Sequence, residues 1–136
     1  MSRILIAAAL TMGASVSNAS AHHSFAAEYD ATKPIKLTGT VQRVDLVNPH
    51  SWIYIQVKEP NGKPVTWNVE MGSPNSLIRR GFTKNSVPAG TQVIVDGYRA
   101  KDGSRTVNSS SITLSDGRRL FTGSPGTGAP RDTSGK

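Results

Sequence analysis

Cysteine is absent from the chain, which removes disulfides, thiolate metal centres and cysteine nucleophiles together. Any metal must therefore be held by nitrogen or oxygen. Long hydrophobic runs are also missing. The run from Ile4 to Leu10 falls far short of the roughly 20 apolar residues that span a bilayer, and no later stretch comes closer. Acidic residues are scarce, 9 against 16 lysines and arginines, so the formal net charge is +7. That balance favours anionic partners without specifying one, and it serves solubility equally well. Aromatics make up only 6% of the chain. Glycine loops for phosphate, a Gly-x-Ser-x-Gly elbow and a His-Glu-x-x-His helix are all lacking. Conventional nucleotide and hydrolase chemistry is disfavoured, and no catalytic residue is assigned.

What the sequence does contain begins with a leader. Arg3 is followed by the short apolar run and then by Ala19-Ser20-Ala21, the small-x-small pattern that a secretory peptidase reads. Residues 1–21 are expected to be removed, leaving a periplasmic or secreted protein without a transmembrane segment. Residues 22–34 read as an N-terminal segment, 35–121 as one β domain, and 122–136, rich in Gly, Pro, Ser and Thr, as a disordered tail.

Within the domain the dominant period is two. Leu37 to Val41 alternates and runs on through Val44 and Leu46 to a break at Asn48-Pro49. Ile53, Ile55 and Val57 share one face of the next run, with Trp52, Tyr54 and Gln56 on the other. Asn61-Gly62 supplies turn chemistry, and Val65, Trp67, Val69 and Met71 follow in phase, predicting a hairpin. Ser73-Pro74 opens a short helix anchored by Leu77, Ile78 and Phe82 and ending near Gly81. Alternation returns over Thr91 to Tyr98, and a last pair of segments surrounds Ile112 and Leu114, with Asp116-Gly117 turning into Arg118 to Phe121. Strand, strand, strand, helix, strand, strand is the order of a small five-stranded Greek-key barrel of OB type, with one short helix between strands 3 and 4. Gly39 would let the first strand bend. An open β-sandwich is the alternative.

Two of the three histidines follow the cleavage site directly. Cleavage after Ala21 gives His22 a free α-amine beside its imidazole, a chelating pair that suits the tetragonal nitrogen and oxygen preference of Cu(II). His50 would supply a third nitrogen, and His23 offers a second chelating route. The metal candidates are thus His22, His23 and His50, with copper as the cofactor. Zinc would require a fourth ligand from Glu28, Asp30 or Glu70. Against this stands the reading of His22 and His23 as a polar start, His50 as a strand-end cap and Glu70 as a surface carboxylate paired with an arginine.

Trp52, Tyr54 and Gln56 form a candidate ligand face, in the region with which OB barrels hold oligonucleotides or sugars. These rings would alternatively pack against the N-terminal segment, including Phe25 and Tyr29. Export makes nucleic acid an unexpected partner, so an envelope oligosaccharide, peptide or protein, or an anionic ligand, is the expected class. Arg79-Arg80 and Arg118-Arg119 would serve an anion or a solvated surface.

Four motifs carry a resemblance: His-His-Ser-Phe at His22 to Phe25, Asn-Pro-His-x-Trp at Asn48 to Trp52, Glu-Met-Gly-Ser-Pro-Asn at Glu70 to Asn75, and Gly-Tyr-Arg-Ala-Lys-Asp-Gly at Gly97 to Gly103. Together they resemble an uncharacterised family of small exported bacterial proteins of unknown function. The resemblance implies export and one domain, and no mechanism.

Overall fold

The computed structural model describes residues 24–124 and 126–130. Among these the fold is mainly β, with helix confined to α1 (Phe25–Glu28), α2 (Pro74–Arg79) and a 3-10 turn at Lys84–Ser86. The strands are β1 (Tyr29–Asp45), β2 (Trp52–Lys58), β3 (Pro64–Glu70), β4 (Gln92–Ala100), β5 (Thr106–Leu114) and β6 (Arg119–Phe121). They form one sheet in the order β3-β2-β1-β4-β5-β6, each neighbouring pair antiparallel. In addition, β3 meets β5 in parallel, 68–70 against 106–108.

Alternation explains which side faces inward. Ile53 and Ile55 of β2, Val69 of β3, Val95 of β4, and Val107 and Ile112 of β5 are fully buried in one core, which Met71, Leu77, Phe82 and Val87 complete. The hairpin between β2 and β3 turns on Gly62 at φ 81°, with the Lys63 amide donating to Asn61 Oδ1 at 2.9 Å. Ser73 caps α2, its Oγ accepting from the Ser76 amide at 3.4 Å, and Pro74 stands in the first turn. Gly81, at φ 82°, ends the excursion, and Phe82 returns its amide to the Leu77 carbonyl at 3.0 Å.

Several expectations change. Among the described residues six strands are present where five were expected, because the three residues of β6 pair with β5. Ile78 is 54% exposed, so α2 is anchored by Leu77 and Phe82 alone. Adjacent helical positions point about 100° apart at 3.6 residues per turn, so Leu77 and Ile78 cannot both face the core. β1 begins at Tyr29, inside the stretch 22–34 expected as an N-terminal segment ahead of the β domain, because Tyr29 pairs with Ala100 of β4. Beyond Phe121 the chain stays packed: Thr122 and Ser124 are buried, and the Thr122 carbonyl accepts from the Gly72 amide at 2.8 Å.

Candidate functional site

The outward positions of β3 should be solvated, and Asn68 is exposed. Glu70, two residues on and on the same side, is only 4% exposed. The difference comes from the N-terminal segment. Phe25 and Tyr29 are buried; their rings stack at 5.7 Å, and Phe25 meets Tyr98 edge-on at 5.5 Å. The segment is fastened further by the Lys101 amide, which donates to the Glu28 carbonyl at 2.8 Å. A second, non-local layer thus covers the end of β3.

Beneath it, the Glu70 carboxylate receives two groups. The Tyr29 hydroxyl donates to Oε2, and His50 Nδ1 meets Oε1. An imidazole nitrogen facing a carboxylate oxygen at contact must carry the proton, since opposed lone pairs would repel. Nδ1 therefore donates, and the ring is oriented by a buried acid that a buried phenol steadies in turn. Burial, reinforced by the hydrogen bond to Glu70 and then by its negative charge, pushes the Tyr29 phenol well above its ordinary value of 10.0. The segment carrying His50 is aligned by an extension of the β2–β3 ladder, with the Ser51 amide donating to Gly72 at 3.0 Å and Met71 to Ser51 at 2.8 Å.

Glu70 therefore corrects the expectation of a surface carboxylate paired with arginine. Tyr29, expected only as a packing ring, is the second half of the cluster. The sequence carries one signal for this, a lone acid at the end of the apolar alternation from Val65 to Met71, but its partner Tyr29 lies 41 residues away.

His50 also lines a cavity of about 270 Å³ with Ser73, Ser76, Arg79, Ser124 and Thr127. The chain enters the described region beside it, since the Phe25 amide donates to the Thr127 carbonyl at 2.8 Å. His22 and His23 lie outside the described residues. Among the described residues no group of three histidine, cysteine or acidic side chains is placed to hold a metal. His50 and Glu70 come together; Glu28 and Asp30 join no such group.

Trp52, Tyr54 and Gln56 share the outward face of β2. Trp52 is half-buried and lines a groove of about 550 Å³ with Ala27, Tyr29, Lys101 and Thr106. Tyr54 is half-buried beneath the Arg43 guanidinium, 4.0 Å from its ring centre, and Gln56 is exposed. The arginine pairs separate: Arg80 reaches the Gly123 carbonyl at 3.3 Å, Arg118 binds Asp116 at 2.7 Å, and Arg79 faces the His50 cavity.

Among the described residues no helix is long and apolar enough to cross a membrane. Neither a curated protein nor a solved structure matches the chain. A family profile does match, over residues 10–109, and takes in the His50, Glu70 and Tyr29 cluster. The chain belongs to DUF6152, a family of unknown function.

Proposed function

We propose that this is an exported accessory protein, periplasmic or secreted, that holds Cu(II) between His50 and the histidines behind its leader, His22 first and His23 as a second route. It would act as a carrier and not as a catalyst. The observation that carries the reading is the contact of His50 Nδ1 with buried Glu70. A histidine ligand ordinarily donates its second ring nitrogen to a carboxylate, which fixes the tautomer and raises the basicity of the coordinating nitrogen. In that arrangement Nε2 would be the coordinating atom. Further support comes from the entry of the chain: Phe25 is tied to Thr127, which lines the same cavity as His50. With Cα atoms about 3.8 Å apart along the chain, His22 and His23 are within about 12 Å of Phe25. The α-amine and imidazole of His22 would complete a set of three nitrogens.

In the same reading the sheet is a closed barrel of OB type. Its support is the parallel pairing of β3 with β5, which joins strands otherwise separated by β2, β1 and β4, together with α2 in the β3–β4 connection. The test is copper titration of the protein processed by its own leader, followed by electron paramagnetic resonance. A mass beginning at His22, nitrogen hyperfine structure, and marked loss of affinity in His50→Ala are expected. An unchanged spectrum and affinity in that variant would remove the barrel from the metal site.

A second reading, favoured by the groove at Trp52, is a metal-free interaction module binding an envelope oligosaccharide, peptide or protein. A Trp52 fluorescence change on adding such a partner, insensitive to chelator, would support it.

A further inference from the structure

The cavity beside His50 has a chemistry that the metal reading does not use. Its polar wall comes from two distant stretches of chain. Ser73, Ser76 and Arg79 recur every three residues, a spacing that keeps them on neighbouring positions of α2. Ser124 and Thr127 arrive from beyond β6. Among the described residues no carboxylate lines the cavity, and none pairs with Arg79. Glu70, which meets His50 of this wall, is engaged by His50 and Tyr29.

The hydrogen-bond inventory of the wall favours donors. A guanidinium only donates. Ser73 Oγ already accepts from the Ser76 amide, so its proton is left to give. Thr127 spends its own proton on the Ser124 carbonyl, at 2.9 Å. Ser124 is the decisive residue: it lines the cavity, is only 5% exposed, and its buried hydroxyl has no hydrogen-bond partner. A buried hydroxyl is seldom left so, because the desolvated group is costly unless something supplies the missing bond.

We infer that this cavity is a binding site for a small oxyanion, the phosphate or carboxylate group of a small molecule, held by Arg79 and the hydroxyls of Ser73 and Ser124 beside His50. The volume of about 270 Å³ takes one such group with a short organic stem, given about 30 Å³ for each water displaced. A single Arg with two or three neutral donors favours a group of one or two negative charges over a polyanion. The basic surface raises the local concentration of such ligands, while the hydroxyls distinguish the site from diffuse attraction. The site does not depend on copper.

The test is a titration of the chelator-treated full chain with inorganic phosphate and, separately, acetate, followed by amide nuclear magnetic resonance at constant ionic strength. Saturable shifts at residues 73–79 and 124–127 are expected, and the arm that saturates at the lower concentration identifies the oxyanion. Arg79→Gln should weaken binding about tenfold or more, as loss of a charge-assisted pair does. Ser124→Ala should weaken it several-fold. Arg118→Gln, in which Arg118 lies outside the cavity, should leave it unchanged. Shifts that do not saturate, or an equal loss in Arg118→Gln and Arg79→Gln, would overturn the site in favour of general charge attraction. Arg79 is the exposed last residue of α2, so its variant should fold, and an unchanged melting temperature verifies this. Because no metal is present, failure here leaves the copper reading standing, and loss of copper in His50→Ala leaves this site standing.

Discussion

At the scale of single residues, Glu70 has the most to lose. Its carboxylate accepts from both the Tyr29 hydroxyl and His50 Nδ1 in a buried setting. An amide has one acceptor oxygen and turns its NH2 toward the other donor, so Glu70→Gln leaves one buried donor unsatisfied. Destabilisation of about 2 to 3 kcal/mol is expected, measured by urea unfolding. If His50 holds copper, the same variant should also lower Cu(II) affinity by about 10- to 100-fold, the usual effect of losing the carboxylate behind a histidine ligand. Tyr29 makes a separate prediction about pH. In the folded protein the phenol holds its proton above the 10.0 at which an unperturbed tyrosine ionises. The unfolded chain therefore loses that proton first as pH rises. The contribution is complete below about pH 10 and declines above it, so alkaline conditions favour unfolding. Tyr29→Phe should be less stable than the parent at neutral pH and should lose less stability between pH ~9 and ~11. Denaturant midpoints across that range check both, and parallel losses in parent and variant would contradict the assignment.

At the scale of elements, two glycines let strands cross closely. A Cβ on Gly97 would lie 2.2 Å from the Asn108 carbonyl oxygen and 2.9 Å from Val107 Cγ2; one on Gly39 would lie 2.8 Å from the Gln56 oxygen. In both cases the obstacle includes backbone of the neighbouring strand, which cannot rotate aside. Gly97→Ala should destabilise by about 3 kcal/mol or more, at the upper end of overpacking effects, read as a fall in melting temperature. Gly39 stands out in the sequence, because a glycine within an alternating run is unusual, and what the structure puts there is the close approach of β2. The same alternation located β2, β3 and their hairpin, since Ile53, Ile55 and Val69 face one core. The beginning of β1 was not legible. Residues 31–34 are exposed and show no apolar alternation, and the strand there is held by pairing at its two sides, Tyr29 with Ala100 and Pro34 with Tyr98 of β4, across a register shift. Glu70 was misread for a related reason. Its phase on β3 is outward, and only the N-terminal segment, 41 residues earlier at Tyr29, makes that side an interior.

At the scale of the whole molecule, the two ends of the described chain meet over the candidate site. Composition after Thr122 speaks for disorder, because Gly, Pro, Ser and Thr bury little apolar surface. Hydrogen bonding outweighs composition here. Thr122 shares a hydroxyl contact with Ser109 and accepts from the Gly72 amide, and Thr127 accepts from the Phe25 amide. These bonds connect the end of β3, the middle of β5 and the N-terminal turn that covers Glu70. A chain ending at Phe121 would leave the Gly72 and Phe25 amides, the Ser110 carbonyl and the Arg80 guanidinium without these partners, would leave the buried Ser109 hydroxyl only the Ser111 carbonyl, and would remove Ser124 and Thr127 from the cavity wall. With about 1 kcal/mol for each net hydrogen bond, less for the exposed Arg80 contact, it should be about 4 to 5 kcal/mol less stable than a chain ending at Pro130. The loosened N-terminal turn should expose Trp52 to solvent and redden its fluorescence. Equal melting temperatures and unchanged emission would mean that the segment after Phe121 is the passive tail its composition describes. A loss of both stability and Trp52 burial would mean instead that the C-terminal segment clamps the N-terminal turn over Glu70, and so holds the histidine side of the molecule together.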